Sequence, residues 1–415
     1  MRLTLLAPLA LLVWFSSCNG KGNNPPPIPN NKALKWSKTF GGNDYEYATA
    51  LHQTSSNEYI VAGASRSSGG DIGGTRVGFD VWLAKVDNNG NKIWSNTFGT
   101  TDDEYANGVV AAADGGFVVV GYKFVNNQNF AFAIKTDAGG NKVWQKDFAG
   151  SNDSKPQAIL SSPDGSFIIA GYTTEGAGGK NAWVTKIDIH GNIVWNKTFG
   201  GSDEDYAYAL TRGSDGGYVL AGATKSTSGD IAGSKGGFDG WIMKIDDGGS
   251  KMWSKTYGGS RNDHQRSIAK TSDGGYILAG YSNSSDGDIT HHRGGDDEWV
   301  LKVDVSGNKQ WSTTFGGTND EYATGVVTTT DGGYMIAGHT NSVNGDAPRI
   351  YADWGAWLIK TDASGKLTVT STYGDTQEDI TNTIINTSDG GYLIGGYTDV
   401  ATRGYDAWLV KVDAL

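Results

Sequence analysis

The chain repeats itself seven times, and this periodicity limits its fold more than any other feature. A run of the form D-G-G-Y-x-x-A-G recurs at residues 114–121, 164–171, 215–222, 273–280, 331–338 and 389–396, with a looser copy at 56–63. A second marker, close to W-x-x-x-(F/Y)-G, begins at Trp36, Trp94, Trp144, Trp195, Trp253 and Trp311, at intervals of 58, 50, 51, 58 and 58 residues. A period of this length means that one supersecondary unit is stacked on copies of itself. It also sorts the residues. Those present in every copy serve the fold, and those that occur once are where function is to be sought.

One unit reads as four short strands, at residues 47–54, 59–65, 81–87 and 92–98. The turn Asp87-Asn88-Asn89-Gly90-Asn91 closes the last two into a tight hairpin. The second and third strands lack apolar/polar alternation, which predicts burial on both faces. Glycine makes up 62 of 415 residues and helical patterning is nearly absent, so the chain reads as all-β. Seven four-stranded antiparallel units describe a seven-bladed β-propeller. Its ends predict closure. Residues 34–40 form a fourth strand with no preceding three, and residues 407–413 form a third strand with no fourth. The N-terminal strand therefore completes the last blade and removes both free sheet edges.

Within the unit, Trp82, Trp183, Trp241, Trp299, Trp357 and Trp408, with Phe132 in one copy, mark the third strand and are expected to pack between blades. Lys85, Lys135, Lys186, Lys244, Lys302, Lys360 and Lys411 follow three residues later. Asp87, Asp137, Asp188, Asp246, Asp304, Asp362 and Asp413 lie two residues beyond the lysines. A two-residue step sets each Lys and Asp on one strand face, where they pair or cap a turn. Gly63, Gly121, Gly171, Gly222, Gly280, Gly338 and Gly396 fit a close approach of neighbouring sheets.

Residues 1–17 carry Arg2 and an apolar run too short to span a membrane, which reads as an export signal. Cys18, the single cysteine, follows Phe15-Ser16-Ser17 in a pattern that resembles the lipobox of bacterial lipoproteins. That resemblance implies a lipid anchor at Cys18. The absence of Asp after it favours the outer membrane, with the protein facing the periplasm or the surface. Residues 18–32, with Pro25-Pro26-Pro27 and Pro29, form an extended tether, and 33–415 the propeller. Loss of Arg2 takes the net charge from −11 to −12, and an acidic exported chain without basic runs is no partner for nucleic acid.

Over residues 33–413 the units resemble those of bacterial β-propeller repeat lipoproteins, with residues 195–244 matching W-x-K-T-F-G-G, D-G-G-Y-x-x-A-G and D-x-W-x-x-K-x-D almost throughout. The stretch from Lys85 to Trp94 also resembles a quinoprotein-type repeat. The eight blades and adjacent cysteines usual in that family's dehydrogenases are missing. The likeness therefore implies a scaffold and no quinone chemistry.

Function is expected on the face that carries the blade-to-blade loops and the second-to-third-strand loops. The former are acidic and the latter vary in length. Three readings stand for this face. Asp71, Asp230, Asp288 and Asp346 in S-x-x-G-D cap their own turns. Alternatively some carboxylates bind Ca2+, the best fragment being Asp286 and Asp288, although no full calcium loop exists. Or repeat-breaking residues bind a glycan or peptide: His291, His292 and Arg293 in repeat five, and Arg349, Tyr351 and Trp354 in repeat six. No metalloprotease, nucleophile-elbow or phosphate-loop motif occurs. The favoured expectation is a non-catalytic, monomeric binding lipoprotein without a cofactor. A polysaccharide hydrolase or lyase on the same face, or an envelope scaffold, is the alternative.

Overall fold

The computed structural model describes residues 33–72, 78–148, 153–174, 179–348, 353–374, 377–400 and 404–415. The signal, the tether and Cys18 lie outside the described residues. Seven four-stranded antiparallel sheets form a ring, and no helix occurs among the described residues. Blade 1 is built from Glu46–Gln53, Tyr59–Ser65, Asp80–Val86 and Lys92–Phe98. Blades 2 to 6 repeat this order through residues 103–147, 154–199, 205–257, 263–315 and 321–373. Blade 7 takes its first three strands from residues 379–412 and its fourth from Leu34–Phe40. The closing strand runs antiparallel to Gly404–Val412, from Leu34 opposite Val412 to Phe40 opposite Ala407, as the termini predicted.

The core consists of seven apolar layers between neighbouring blades. One joins Val219, Ala221 and Ile242 of blade 4 to Tyr276, Leu278 and Trp299 of blade 5. Second and third strands are buried along almost their whole length, which is why their sequences do not alternate. Third-strand tryptophans sit in these layers, with Trp82, Trp299 and Trp357 at 0% exposure. Most donate Nε1–H to a fourth-strand side chain, as Trp82 does to Ser95 Oγ at 2.8 Å and Trp408 to Ser37 Oγ at 2.8 Å.

The fourth-strand tryptophans lie half-buried and do something different. Each ring lies on the positive-φ glycine of the next blade's hairpin: Trp36 on Gly90, Trp94 on Gly140, Trp144 on Gly191, Trp195 on Gly249, Trp253 on Gly307 and Trp311 on Gly365. A Cβ at Gly307 would stand 2.6 Å from the Trp253 ring, so the turn needs glycine for contact as well as for φ +80°. Blade 6 has Val369 at this position, opposite Lys360. The next blade there has no hairpin, because its third and fourth strands come from opposite ends of the chain. The missing seventh tryptophan thus marks the seam of the ring.

Two expectations need correction. The recurrent lysines do not pair with the aspartates two residues on. They reach back to the acid of the D-G-G turn, as in Lys135–Asp114 at 2.8 Å, Lys186–Asp164 at 2.7 Å and Lys411–Asp389 at 2.9 Å. The following aspartate caps the hairpin alone, Asp87 Oδ1 accepting from the Asn89 and Asn91 amides at 2.8 Å each. The second-strand glycines answer first to their own blade, except Gly338, which also faces Glu298 of the neighbouring sheet as expected. A Cβ on Gly63 would fall 1.7 Å from the Tyr47 carbonyl oxygen, where the first strand bulges between Ala48 and Ala50.

Candidate functional site

The residues singled out by sequence fall into separate groups. Arg349 and Tyr351 lie outside the described residues. In repeat five, His291 Nδ1 shares a hydrogen bond with Thr290 Oγ1 at 2.9 Å, and His292 Nδ1 stands 3.3 Å from Asp297 Oδ2. Arg293 donates from its amide to Asp297 Oδ2 at 2.6 Å and from its guanidinium to the Gly316 carbonyl at 3.1 Å and to Asp346. One repeat earlier, Lys235 donates to the Gly258 carbonyl at 3.2 Å and pairs with Asp288 at 3.0 Å. Arg293 therefore follows the repeat and ties one blade's loop to the next.

Asp288 is also held by Lys309, and Asp286 Oδ1 accepts from the Ser260 amide at 2.7 Å, so the two carboxylates are turned to different partners. Among the described residues no group of three or more His, Cys, Asp or Glu is placed to hold a metal ion. Asp71 and Asp230 face Lys92 and Lys251 at 3.1 Å each. They fasten the fourth strand, and among the described residues neither carboxylate caps its own turn.

Trp354 belongs to a larger feature. The first strands of successive blades contact one another all the way round and so line the axis. Each opens on a dipeptide such as Glu46-Tyr47, Glu104-Tyr105, Asp205-Tyr206 or Glu321-Tyr322. The acid turns inward and is buried, as Glu46, Asp205, Asp263 and Glu321 show at 0% exposure. It accepts from a glycine amide of the preceding loop and from a second-strand hydroxyl. Glu46 does so from Gly42 at 2.9 Å and Ser65 at 2.8 Å. These acids, counted from sequence as part of an acidic face, are internal fasteners. Burial raises Glu46, Asp263 and Asp205, the last to about 6.

The residue after each acid turns the other way, and together these side chains form an aromatic collar at the mouth of the axis. Across blades 7, 1 and 2 the rings follow Tyr405–Tyr397 (4.8 Å between centroids), Tyr397–Tyr47 (5.1 Å), Tyr47–Phe79 (5.7 Å), Phe79–Tyr105 (5.1 Å) and Tyr105–Tyr122 (5.1 Å). Across blades 3 to 6 they follow Tyr172–Tyr206 (5.0 Å), Tyr206–Tyr208 (5.7 Å), Tyr208–His264 (6.3 Å), His264–Tyr281 (4.7 Å) and Tyr281–Tyr322 (4.8 Å). Trp354 closes this arc, 5.7 Å from Tyr322 and 5.2 Å from His339. Blade 7 has Ile380 in place of the tyrosine.

Charge is distributed unevenly round the collar. Phenols donate to rim carboxylates, Tyr322 to Asp296 at 2.9 Å, Tyr405 to Glu378 at 3.0 Å and Tyr206 to Glu204 at 3.1 Å. Blades 3 to 5 add four cations on ring faces: Lys155 Nζ 4.1 Å from the Tyr122 centroid, Lys180 5.0 Å from Tyr172, Lys225 4.3 Å from Phe238 and Arg266 4.1 Å from Tyr208. Burial, helped by Arg266, holds His264 down to about 3, and burial lowers His339 to about 4, so both imidazoles are neutral at pH 7. The arrangement offers flat apolar faces beside hydrogen-bonding acids.

Sequence reasoning passed over this collar because its tyrosines recur, and recurrence had been assigned to the fold. A usable signal was departure inside the unit. Lys155 and His264 stand where other copies have tyrosine.

No family model matches the chain. Over 222 residues, 47% of the chain, it is 27% identical to the regulatory protein FlaEY of Caulobacter vibrioides, and the match covers 22% of that protein. The chain thus spans about a fifth of the length of this curated relative. Among solved structures it is similar to Sqt1 from Chaetomium thermophilum, at TM-score 0.49 and 11% identity over 93% of this chain and 99% of that one. It is also similar to puromycin hydrolase, at TM-score 0.49 and 12% identity over 88% and 52%. At these scores neither likeness bears on function, and the fold rests on the seven sheets themselves.

Proposed function

We propose that this propeller is a non-catalytic binding protein that takes a glycan across its aromatic collar. In this proposal it is held at the bacterial outer membrane by lipid on Cys18, after removal of residues 1–17. The observation that supports the reading is the collar: buried and half-buried rings in near-continuous contact, with phenols fixed by Asp296, Glu378 and Glu204. Sugar rings present apolar C–H faces edged by hydroxyls, which suits stacking on such rings and hydrogen bonding to such acids. Rings already locked by neighbours lose little freedom on binding, which favours affinity. A glycan array probed with the wild type, Tyr322→Ala and Trp354→Ala tests the proposal. Specific signals that fall about 10-fold or more in both variants are expected. A silent array would overturn the reading in favour of a protein partner, and released product would replace it with a hydrolase or lyase.

A further inference from the structure

Lys155 is the least explained charge in the molecule. Its side chain is 8% exposed, yet among the described residues it makes neither a hydrogen bond nor an ion pair. Its one contact of note is the face of Tyr122. The other buried lysines behave differently, since Lys135, Lys186, Lys302 and Lys411 each hold a carboxylate within 2.7 to 2.9 Å. The fold does not require a lysine here, because the same position is Tyr47, Tyr105, Tyr206, His264, Tyr322 or Ile380 in the other blades.

Arg266 is a second departure, on the first strand of blade 5, and its charge reaches Lys155. At the equivalent bulge position Thr49, Asn107 and Asn382 donate to a main-chain carbonyl of the next blade, at 2.7, 2.7 and 2.9 Å. Arg266 lies instead over Tyr208 of the preceding blade. The acids on this arc are already matched, Asp153 by Lys180 at 3.9 Å and Glu204 by Lys225 at 3.7 Å. Lys155 and Arg266 remain as excess positive charge inside a chain of net charge −11. Two cations on aromatic faces, Lys155 on Tyr122 and Arg266 on Tyr208, with the charge of Arg266 felt at Lys155 and, among the described residues, no carboxylate paired to either, form an anion site that the fold alone does not call for.

We propose that the glycan bound by the collar is a carboxylated one, a uronate- or sialate-type sugar, whose carboxylate seats on Lys155 and Arg266. This rests on the glycan reading above. The planar guanidinium and the ammonium supply charge-assisted hydrogen bonds to the carboxylate, while the half-buried Tyr208 flanks the sugar ring. Burial, then Arg266 and Lys180, lowers the free Lys155 amine to about 7, with Asp153 opposing them. A bound carboxylate favours the ammonium. Affinity is therefore expected to fall as pH rises through 7, a dependence that Lys155→Met removes and Lys155→Arg lacks.

The test is an array of acidic and neutral glycans probed with the wild type, Lys155→Met, Lys155→Arg and Arg266→Gln, with melting curves for each. Signals confined to carboxylated glycans, weakened 10- to 100-fold by Lys155→Met and by Arg266→Gln but kept by Lys155→Arg, are expected. Lys155→Met discards an unpaired buried charge, so its melting midpoint should equal or exceed that of the wild type. Equal binding of neutral and acidic sugars, or an acidic signal indifferent to Lys155→Met, overturns the carboxylate site and leaves glycan binding standing. A silent array removes both proposals. Capture of peptides through a free C-terminal carboxylate, abolished by Lys155→Met, would reassign the site from sugar to peptide.

Discussion

Glu298 shows how much a single side chain can depart from the repeat while the blade around it stays intact. Equivalent positions hold Val81, Ala131, Ala182, Gly240, Ala356 and Ala407, all small or apolar and directed at the next blade. Glu298 is fully buried there, and neither carboxylate oxygen has a hydrogen-bond partner. Room comes from Gly338, where a Cβ would lie 1.8 Å from Glu298 Oε1. One junction earlier the exchange is reversed, with Gly240 opposite the equally buried Gln265. Burial, and secondly Glu321, raises the Glu298 carboxyl well above its ordinary value, which favours the protonated form in the folded protein. The unfolded chain ionises near 4.5, and the penalty on folding grows as pH rises above that value until the folded carboxyl itself ionises. Glu298→Gln keeps the shape and discards the titration. Its stability should match the wild type near pH 4.5 and exceed it at pH 8, by a margin on the order of 1–3 kcal/mol. Thermal melts at the two pH values decide, and equal midpoints at both would remove the argument.

At the scale of the element, the strand roles were legible because each carries a periodic demand. Third-strand tryptophans advertised interblade packing through their spacing alone, and the apolar layers contain them. What each lysine, aspartate and glycine touches was less legible. Strand spacing reports which face a side chain takes and says nothing about partners two strands away, so it leaves pairing and turn-capping open for Asp137, which caps its hairpin while Lys135 finds Asp114. The carbonyl that excludes a Cβ at Gly63 likewise belongs to a strand bulge with no sequence mark of its own. The junction itself is testable at Trp241, 1% exposed in the layer with Ile168, Ala170 and Val184 of blade 3. Trp241→Ala should cost about 3–5 kcal/mol, since rigid sheets on both sides cannot collapse into the void. Urea denaturation provides the measurement. A loss below about 1 kcal/mol would mean that the blades move together to fill the gap.

For the whole molecule, the ring was legible from its ends and the collar was not, for one physical reason. Closure depends on two segments whose sequences complete a recognisable unit. The collar is assembled from first strands roughly fifty residues apart, four of which contribute a tyrosine that looks structural by itself. Its side chains meet only because the ring closes, so closure governs the proposed binding site as well as stability. The seam has distinctive wiring. Trp408, 5% exposed, donates to Ser37, Lys35 pairs with Asp389 at 3.0 Å, and the Asp413 amide donates to the Ala33 carbonyl at 2.8 Å. Replacing residues 34–40 with a Gly–Ser stretch of equal length keeps the N-terminal attachment but strips Gly404–Val412 of its partner. The exposed edge then offers unpaired amides and the Trp408 ring to other copies. A melting midpoint lower by about 10 °C or more, with aggregates in size-exclusion chromatography, is expected. Tyr397, Tyr405 and Tyr47 flank the seam, so tyrosine fluorescence should change with it. If the altered chain melted like the wild type and remained monomeric, the remaining three strands of blade 7 would suffice to hold the ring, and the N-terminal strand would serve only to cover an edge.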